Sequence, residues 1–162
     1  MLDTKDFNKI LQLGIDLTVV KNRNKLLESI VDNGMEITKC DGGTLYLYED
    51  GVLKFRIMRT LSQNVDRGRN GEEITELPPV EFREENVCAY TAIHHKAVNI
   101  PDVYHSDMFD FSGPKKYDAL TGYHTESMLV VPIENNEGEL IGVLQMINAK
   151  DEEVNTIPFD EQ

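Results

Sequence analysis

Near the start of the chain, apolar residues return twice at helical spacing. Phe7, Ile10, Leu11, Gly14 and Leu17 share one face after Asp3 or Thr4, either of which can cap a helix. Leu26, Leu27, Ile30, Val31 and Gly34 do the same after a second capping residue, Asn22. The pattern predicts two amphipathic helices whose stripes serve as core or helix–helix contact. Cys40-Asp41-Gly42-Gly43 is expected to stop the second. The period then changes from helical to alternating: Thr44–Tyr48 reads as a strand, Asp50-Gly51 as a tight turn, and Val52–Met58 as the return strand.

Residues 60–86 are polar and predict a long surface loop ending in a short strand near Val80–Phe82. Asn86 can cap a helix through Ala89, Tyr90, Ala92 and Ile93, and Ala97–Ile100 is a short extended piece before Pro101. Residues 103–125 read as a second irregular region. Ser127–Ile133 and Leu140–Ile147 form another hairpin around the turn Asn135-Asn136-Glu137-Gly138. The order of elements is not the strict alternation of a parallel sheet. It predicts an α+β sandwich, an antiparallel sheet with helices packed on it. Residues 1–150 would be the domain. Residues 151–162 hold Asp151, Glu152, Glu153, Asp160 and Glu161 and would be an acidic linker to a C-terminal effector, with the chain being part of a longer protein.

Composition narrows the function. The 162 residues are 40% hydrophobic, enough for one real core, and 16 basic against 29 acidic residues give a formal charge of −13. That sign of field disfavours nucleic acid and anionic membrane surfaces as partners. No apolar run has the length of a membrane span, and the first residues have neither the basic flank nor the apolar stretch of a signal peptide. Two cysteines, Cys40 and Cys88, in no metal-type spacing imply a reduced, cytoplasmic protein.

Chemistry is sparse. There is no phosphate loop, no nucleophile elbow and no His-Glu-x-x-His pair; Gly113-Pro114-Lys115-Lys116 is no substitute, because Pro lacks the N–H that such a loop aims at phosphate. His94 and His95 are adjacent on a helix and diverge, and neither cysteine has a basic neighbour in sequence. No catalytic or metal residue is assigned and no cofactor is required. What stands out is the pair of long polar loops, 60–86 and 101–125, leaving one sheet, the second carrying Asp110, Asp118, Thr121, Tyr123 and Thr125. Long loops of this kind commonly bind something.

Five blocks in register give the chain its resemblance: Thr44–Tyr48, Asn99-Ile100-Pro101-Asp102, Thr121-Gly122-Tyr123-His124-Thr125, Leu129–Ile133 and Leu140–Asn148. Together they resemble a GAF domain over roughly residues 5–150, closest to the cyclic-nucleotide-phosphodiesterase type and to GAF domains that precede bacterial HD-GYP phosphohydrolases acting on cyclic di-GMP. Diguanylate cyclases and histidine kinases are the next output candidates. The resemblance implies a six-stranded antiparallel sheet with helices on both faces. It also implies a non-catalytic small-molecule sensor, a homodimer through terminal helices, an effector in cis, and a cyclic nucleotide or other small molecule as ligand.

Carried over by motif, the ligand-binding residues would be Thr44 and Tyr46 on the first strand and Met58 and Arg59 at the end of the second. Val87 and Cys88 would lie at a helix N-terminus facing phosphate, Asp118, Thr121 and Thr125 on the second loop, and Gln145 on the opposite strand. The chain departs from the binding members in having Asn86-Val87-Cys88-Ala89 in place of a glycine-rich turn, Arg59 for an acid, and Gln145 for a glutamate. Two other readings accompany the sensor: a dimerisation module without ligand, and a GAF-like methionine sulfoxide reductase. The second lacks its reactive cysteine, since residues 101–125 contain none.

Overall fold

The computed structural model describes residues 17–160. The first expected helix falls almost wholly outside them. The second begins earlier than expected: α1 spans Leu17–Thr38 and passes Asn22 without a break. A capping preference of about 1 kcal/mol does not start a new helix when the turn before it is already helical. α1 also ends for a different reason than expected. Lys39 turns left-handed (φ 55), and Cys40-Asp41-Gly42-Gly43 are the first residues of β1 (Cys40–Glu49). Their glycines make room rather than a turn: a Cβ on Gly43 would lie 3.0 Å from Met35 of α1, and one on Gly42 would lie 2.7 Å from Ile147.

The Asp50-Gly51 turn, with both residues at positive φ, returns the chain as β2 (Val52–Thr60). The long loop then supplies β3 (Val65–Arg67), a 3₁₀ turn (Arg69–Gly71) and β4 (Val80–Glu81), both strands pairing with β2. Asn86 caps α2 (Val87–His94) as the sequence predicts, its side chain accepting from the amides of Cys88 and Ala89. β5 (Val98–Ile100) and a 3₁₀ turn (Val103–His105) follow.

The second loop contains a helix the sequence reading missed, α3 (Ser112–Thr121). Pro114 sits in its first turn, where a missing N–H costs nothing, and Gly122 (φ 79) closes it with its amide donating to Asp118 O at 2.9 Å. β6 (Met128–Glu134) and β7 (Leu140–Lys150) form the expected hairpin. The acidic segment assigned to a linker turns on Asp151 and comes back as β8 (Thr156–Ile157) along β7, and Phe159 is buried in the core.

The strands make one sheet in the order β3-β2-β1-β7-β6-β5, with β4 beside β2 and β8 beside β7. Every pairing is antiparallel. Six strands with helices on both faces, an α+β fold, is the predicted architecture. α1 lays Leu26, Leu27, Ile30, Val31 and Met35 on Leu45, Leu47, Ile57, Leu144 and Met146 of one face. The other face is covered by Val87, Cys88 and Ala92 of α2 together with Val103 and Phe111, over Tyr46, Leu53, Met128, Val130 and Val143.

Candidate functional site

Side chains directly opposite one another in neighbouring strands share a face, so the register defines the surface beneath α2 as rows. One row runs Met58–Thr44–Gln145–Val130–Val98 across β2, β1, β7, β6 and β5. Gly42, Ile147, Met128 and Ile100 lie on one side of it, and Phe55, Tyr46, Val143 and Pro132 on the other. Two polar residues therefore stand side by side in the middle of an apolar face. Met58, Thr44, Gln145 and Ile147 are only half-buried, while Tyr46, Val130, Val143 and Met128 around them are buried. Thr44 and Gln145 thus keep partial solvent exposure within this face.

Cys88, in the first turn of α2, reaches down into this face and donates Sγ–H to Gln145 Oε1 at 3.1 Å. Burial pushes its thiol up to about 12, and the buried phenol of Tyr46 beside it is raised well above its ordinary value for the same reason. Cys88 is thus a neutral hydrogen-bond donor, not a nucleophile. One turn further along α2, the wholly buried hydroxyl of Thr91 has no partner.

The segment proposed below as a lid is α3 and the residues that lead into β6. Asp118 is buried and fully used: Oδ2 accepts from Tyr104 Oη at 2.6 Å and from the Thr125 amide at 2.8 Å, and Oδ1 accepts from Thr125 Oγ1 at 2.8 Å. The hydrogen bond to this carboxylate pushes the Tyr104 phenol up to about 12. Tyr104 also stacks on His124, ring centres 4.6 Å apart.

A second network fixes the lid to the sheet. The buried Asp41 carboxylate accepts from the Ser62 hydroxyl and, at 2.8 Å, from Tyr123 Oη. Tyr123 Oη in turn accepts from Asn148 Nδ2 at 2.9 Å. Asn148, at φ 57, also donates to His124 O, and its Oδ1 accepts from the amides of Glu126 and Ser127. The sequence reading gave Asp41 no such role, and it named Asn148 only as the end of the last block of the resemblance. The signal was an Asn at the end of a long apolar strand, a residue suited to the left-handed backbone found there.

Of the expected ligand residues, the structure brings Thr44, Tyr46, Met58, Val87, Cys88 and Gln145 to one face. Asp118 and Thr125 belong to the lid latch above. Three expectations need correcting. Arg59 points to the opposite face, where Nη1 donates to Asp32 of α1 at 2.7 Å, because it is one residue out of phase with Met58. Thr121 is exposed, with its hydroxyl donated back to Tyr117 O at 2.8 Å, as a threonine in the last turn of a helix readily does. The phosphate-facing role given to the amide of Cys88 is also altered, since that N–H already donates to Asn86 Oδ1 at 2.9 Å. Among the described residues, no group of histidine, cysteine or acidic side chains is disposed to hold a metal ion, and no helix is long and apolar enough to cross a membrane.

A sheet carrying a half-open polar pair under a latched lid is the architecture of a regulatory sensor domain. Residues 22–162 match the family model of the GAF domain, and the chain belongs to that family. Over 154 residues, 91% of its length, it is 29% identical to the dual 3′,5′-cyclic-AMP and -GMP phosphodiesterase 11 of Drosophila melanogaster. Over 64 residues, 40% of its length, it is 45% identical to the dual 3′,5′-cyclic-AMP and -GMP phosphodiesterase 11A of Takifugu rubripes. These matches span 10% and 7% of the two relatives. Among solved structures, the blue-light-absorbing form of the Thermosynechococcus elongatus PixJ GAF domain superposes with a TM-score of 0.59 at 20% identity, covering 91% of this chain and 79% of that one. That likeness is one of fold.

Proposed function

We propose that this GAF domain senses a cyclic nucleotide, held with its base over Thr44 and Gln145 and reported through the α3 lid to a C-terminal effector. The observation that carries the reading is the half-buried Thr44–Gln145 pair, two adjacent polar side chains in a face that is otherwise apolar. A hydroxyl and a carboxamide between them offer donors and acceptors to a purine edge, and Cys88 orients the carboxamide. The two relatives are named for cyclic AMP and cyclic GMP, which supports the same ligand class. With Arg59 turned away and the Cys88 amide satisfied, recognition rests on the base, and the phosphate lies toward the lid opening. Neither relative speaks for an HD-GYP or cyclic di-GMP output, so the effector is proposed only as a domain following residue 162.

A ligand shifts the lid only by as much as its affinity differs between the two arrangements, typically about 1–3 kcal/mol. The test is thermal shift and calorimetry with cyclic AMP, cyclic GMP and their nucleosides. A cyclic nucleotide should raise Tm, the effect should vanish in Thr44→Val and Gln145→Leu, and the nucleoside should retain part of it. No shift with either cyclic nucleotide overturns the reading and leaves the face as structural packing.

A further inference from the structure

A groove of about 500 Å³ opens at the edge of the sheet where α1 passes the β1–β2 hairpin, away from the Thr44–Gln145 pair. Phe55, Ile74 and Leu77 give it apolar walls, and Arg23 and Arg56 line it. Arg56 is there because of a β-bulge. Leu45 pairs with Ile57 and Tyr46 with Phe55, so Arg56 is the extra residue of β2, and its side chain leaves the ladder toward α1. There Nη2 donates to Asn24 Oδ1, and Nη1 donates to Gly68 O at 3.0 Å. Gly68 (φ 92) lies so close under the bulge that a Cβ would be 2.1 Å from Arg56 O. The bulge, the loop and the helix together hold this guanidinium in place.

The charges around it are unusual for this chain. Arg59, Arg67, Arg69 and Arg83 each have a carboxylate within salt-bridge distance. Among the described residues, Arg23 and Arg56 have none, in a protein with 29 acidic residues. Both line the groove; burial lowers the pKa of Arg56 and the charge of Arg23 lowers it further, partly offset by Glu28 and Glu49, which lie outside salt-bridge distance. The Nε of Arg23 is buried without an acceptor. Lys54 lines the same groove but is already paired with Asp50 and Glu49, and of the other lining acids Glu72 is held by Arg67 while Glu73 has no salt bridge among the described residues. Two neighbouring guanidiniums with no carboxylate in hydrogen-bonding reach repel each other and forgo the strongest hydrogen bonds open to them.

We propose that this groove is a second binding site, for a small organic anion, a carboxylate or a phosphate ester, seated between Arg23 and Arg56 with its apolar part on Phe55 and Leu77. Paired guanidinium forks suit a two-oxygen anion, and the half-buried position spares the interaction from full screening. The site does not depend on what binds near Thr44.

Calorimetric titration of the 162-residue chain with phenyl phosphate, benzoate and benzyl alcohol tests this. Saturable binding of phenyl phosphate or benzoate is expected, the stronger of the two identifying the anion class, with none for the neutral alcohol. Arg23→Gln should weaken binding about tenfold or more without lowering Tm, since Arg23 gives up no ion pair among the described residues. Arg23→Lys should retain part of it, Thr44→Val all of it, and added NaCl should weaken it in the wild-type chain. Absence of saturable binding by both anions overturns the proposal. So does equal affinity in Arg23→Gln, or a loss on Thr44→Val that Arg23→Gln does not produce.

Discussion

On the α1 side of the sheet the inward positions Leu45, Leu47, Ile57, Leu144 and Met146 are all apolar and close against an apolar helix stripe. On the α2 side the central row instead holds Thr44 and Gln145, the helix sends down a thiol, and a buried threonine hydroxyl goes unpartnered. The same two strands, β1 and β7, supply both surfaces, so the difference comes from alternation alone. Odd positions from Leu45 to Leu47 build a core, while the even positions Thr44 and Tyr46 build something less well closed. A face that served only packing would gain by replacing that central pair with apolar residues. Keeping it points to a use other than stability.

The largest effect expected from this contrast is on the α1 side. Leu27, almost wholly buried, should lose about 2–5 kcal/mol of stability on replacement by alanine, because the cavity adds to the lost transfer energy. Thr44→Val should change stability by about 1 kcal/mol or less. Urea denaturation of the two variants decides it: a Thr44→Val loss as large as that of Leu27→Ala would mean the two faces do the same work.

The latch gives the next largest effect. Asp118→Ala strips acceptors from Tyr104 Oη and from the Thr125 amide and hydroxyl, two of the three in a buried place. A loss of about 1–3 kcal/mol is expected, concentrated in the lid. Amide hydrogen exchange reads the location: protection should fall at Thr125 and in α3 while α1 amides stay protected. A uniform loss across the sheet would place the latch in the common core and blur the distinction between the faces.

How far the sequence carries this picture depends on which residues do the work. Strands with clean alternation, such as Leu140–Ile147, and turns with a conformational demand, such as Asp50-Gly51, announce themselves because the cause is local. α3 was hidden by Gly113-Pro114, which reads as a break yet is harmless in a first turn, while the stop at Gly122 was visible and went unused. The rows beneath α2 follow from alternation once the register is known, whereas Thr44, Tyr46, Met58 and Gln145 were named by resemblance. The phase of Arg59 was not: the extra residue at Arg56 resets the alternation within β2, and a bulge leaves no mark in an amphipathic strand. Asp41 acts only across the fold, 82 positions separating it from the tyrosine it binds, so no local pattern could reveal it.

The smallest effect concerns the ion pairs that clasp the outside of the α1 face. Asp32 accepts from Arg69 and Arg59, and the Arg69 hydrogen bond above all holds its carboxyl below the ordinary carboxylate range, against a partial opposing effect of burial. A group whose pKa is depressed on folding adds stability above its unfolded value, about 3.9, and loses it as the pH falls through the folded value. Asp32→Asn should therefore be less stable than the wild-type chain at pH 7, and the gap should close as the pH falls through the lowered folded value. Because the Asp32 side chain is 38% exposed, the difference at pH 7 is held to about 0.5–1 kcal/mol and shrinks with added salt. Urea midpoints of both proteins at pH 7 and at low pH, with and without NaCl, measure it. A gap that persists in acid would mean that Asp32 acts through packing and not through charge, and the clasp would then belong with the apolar core it covers.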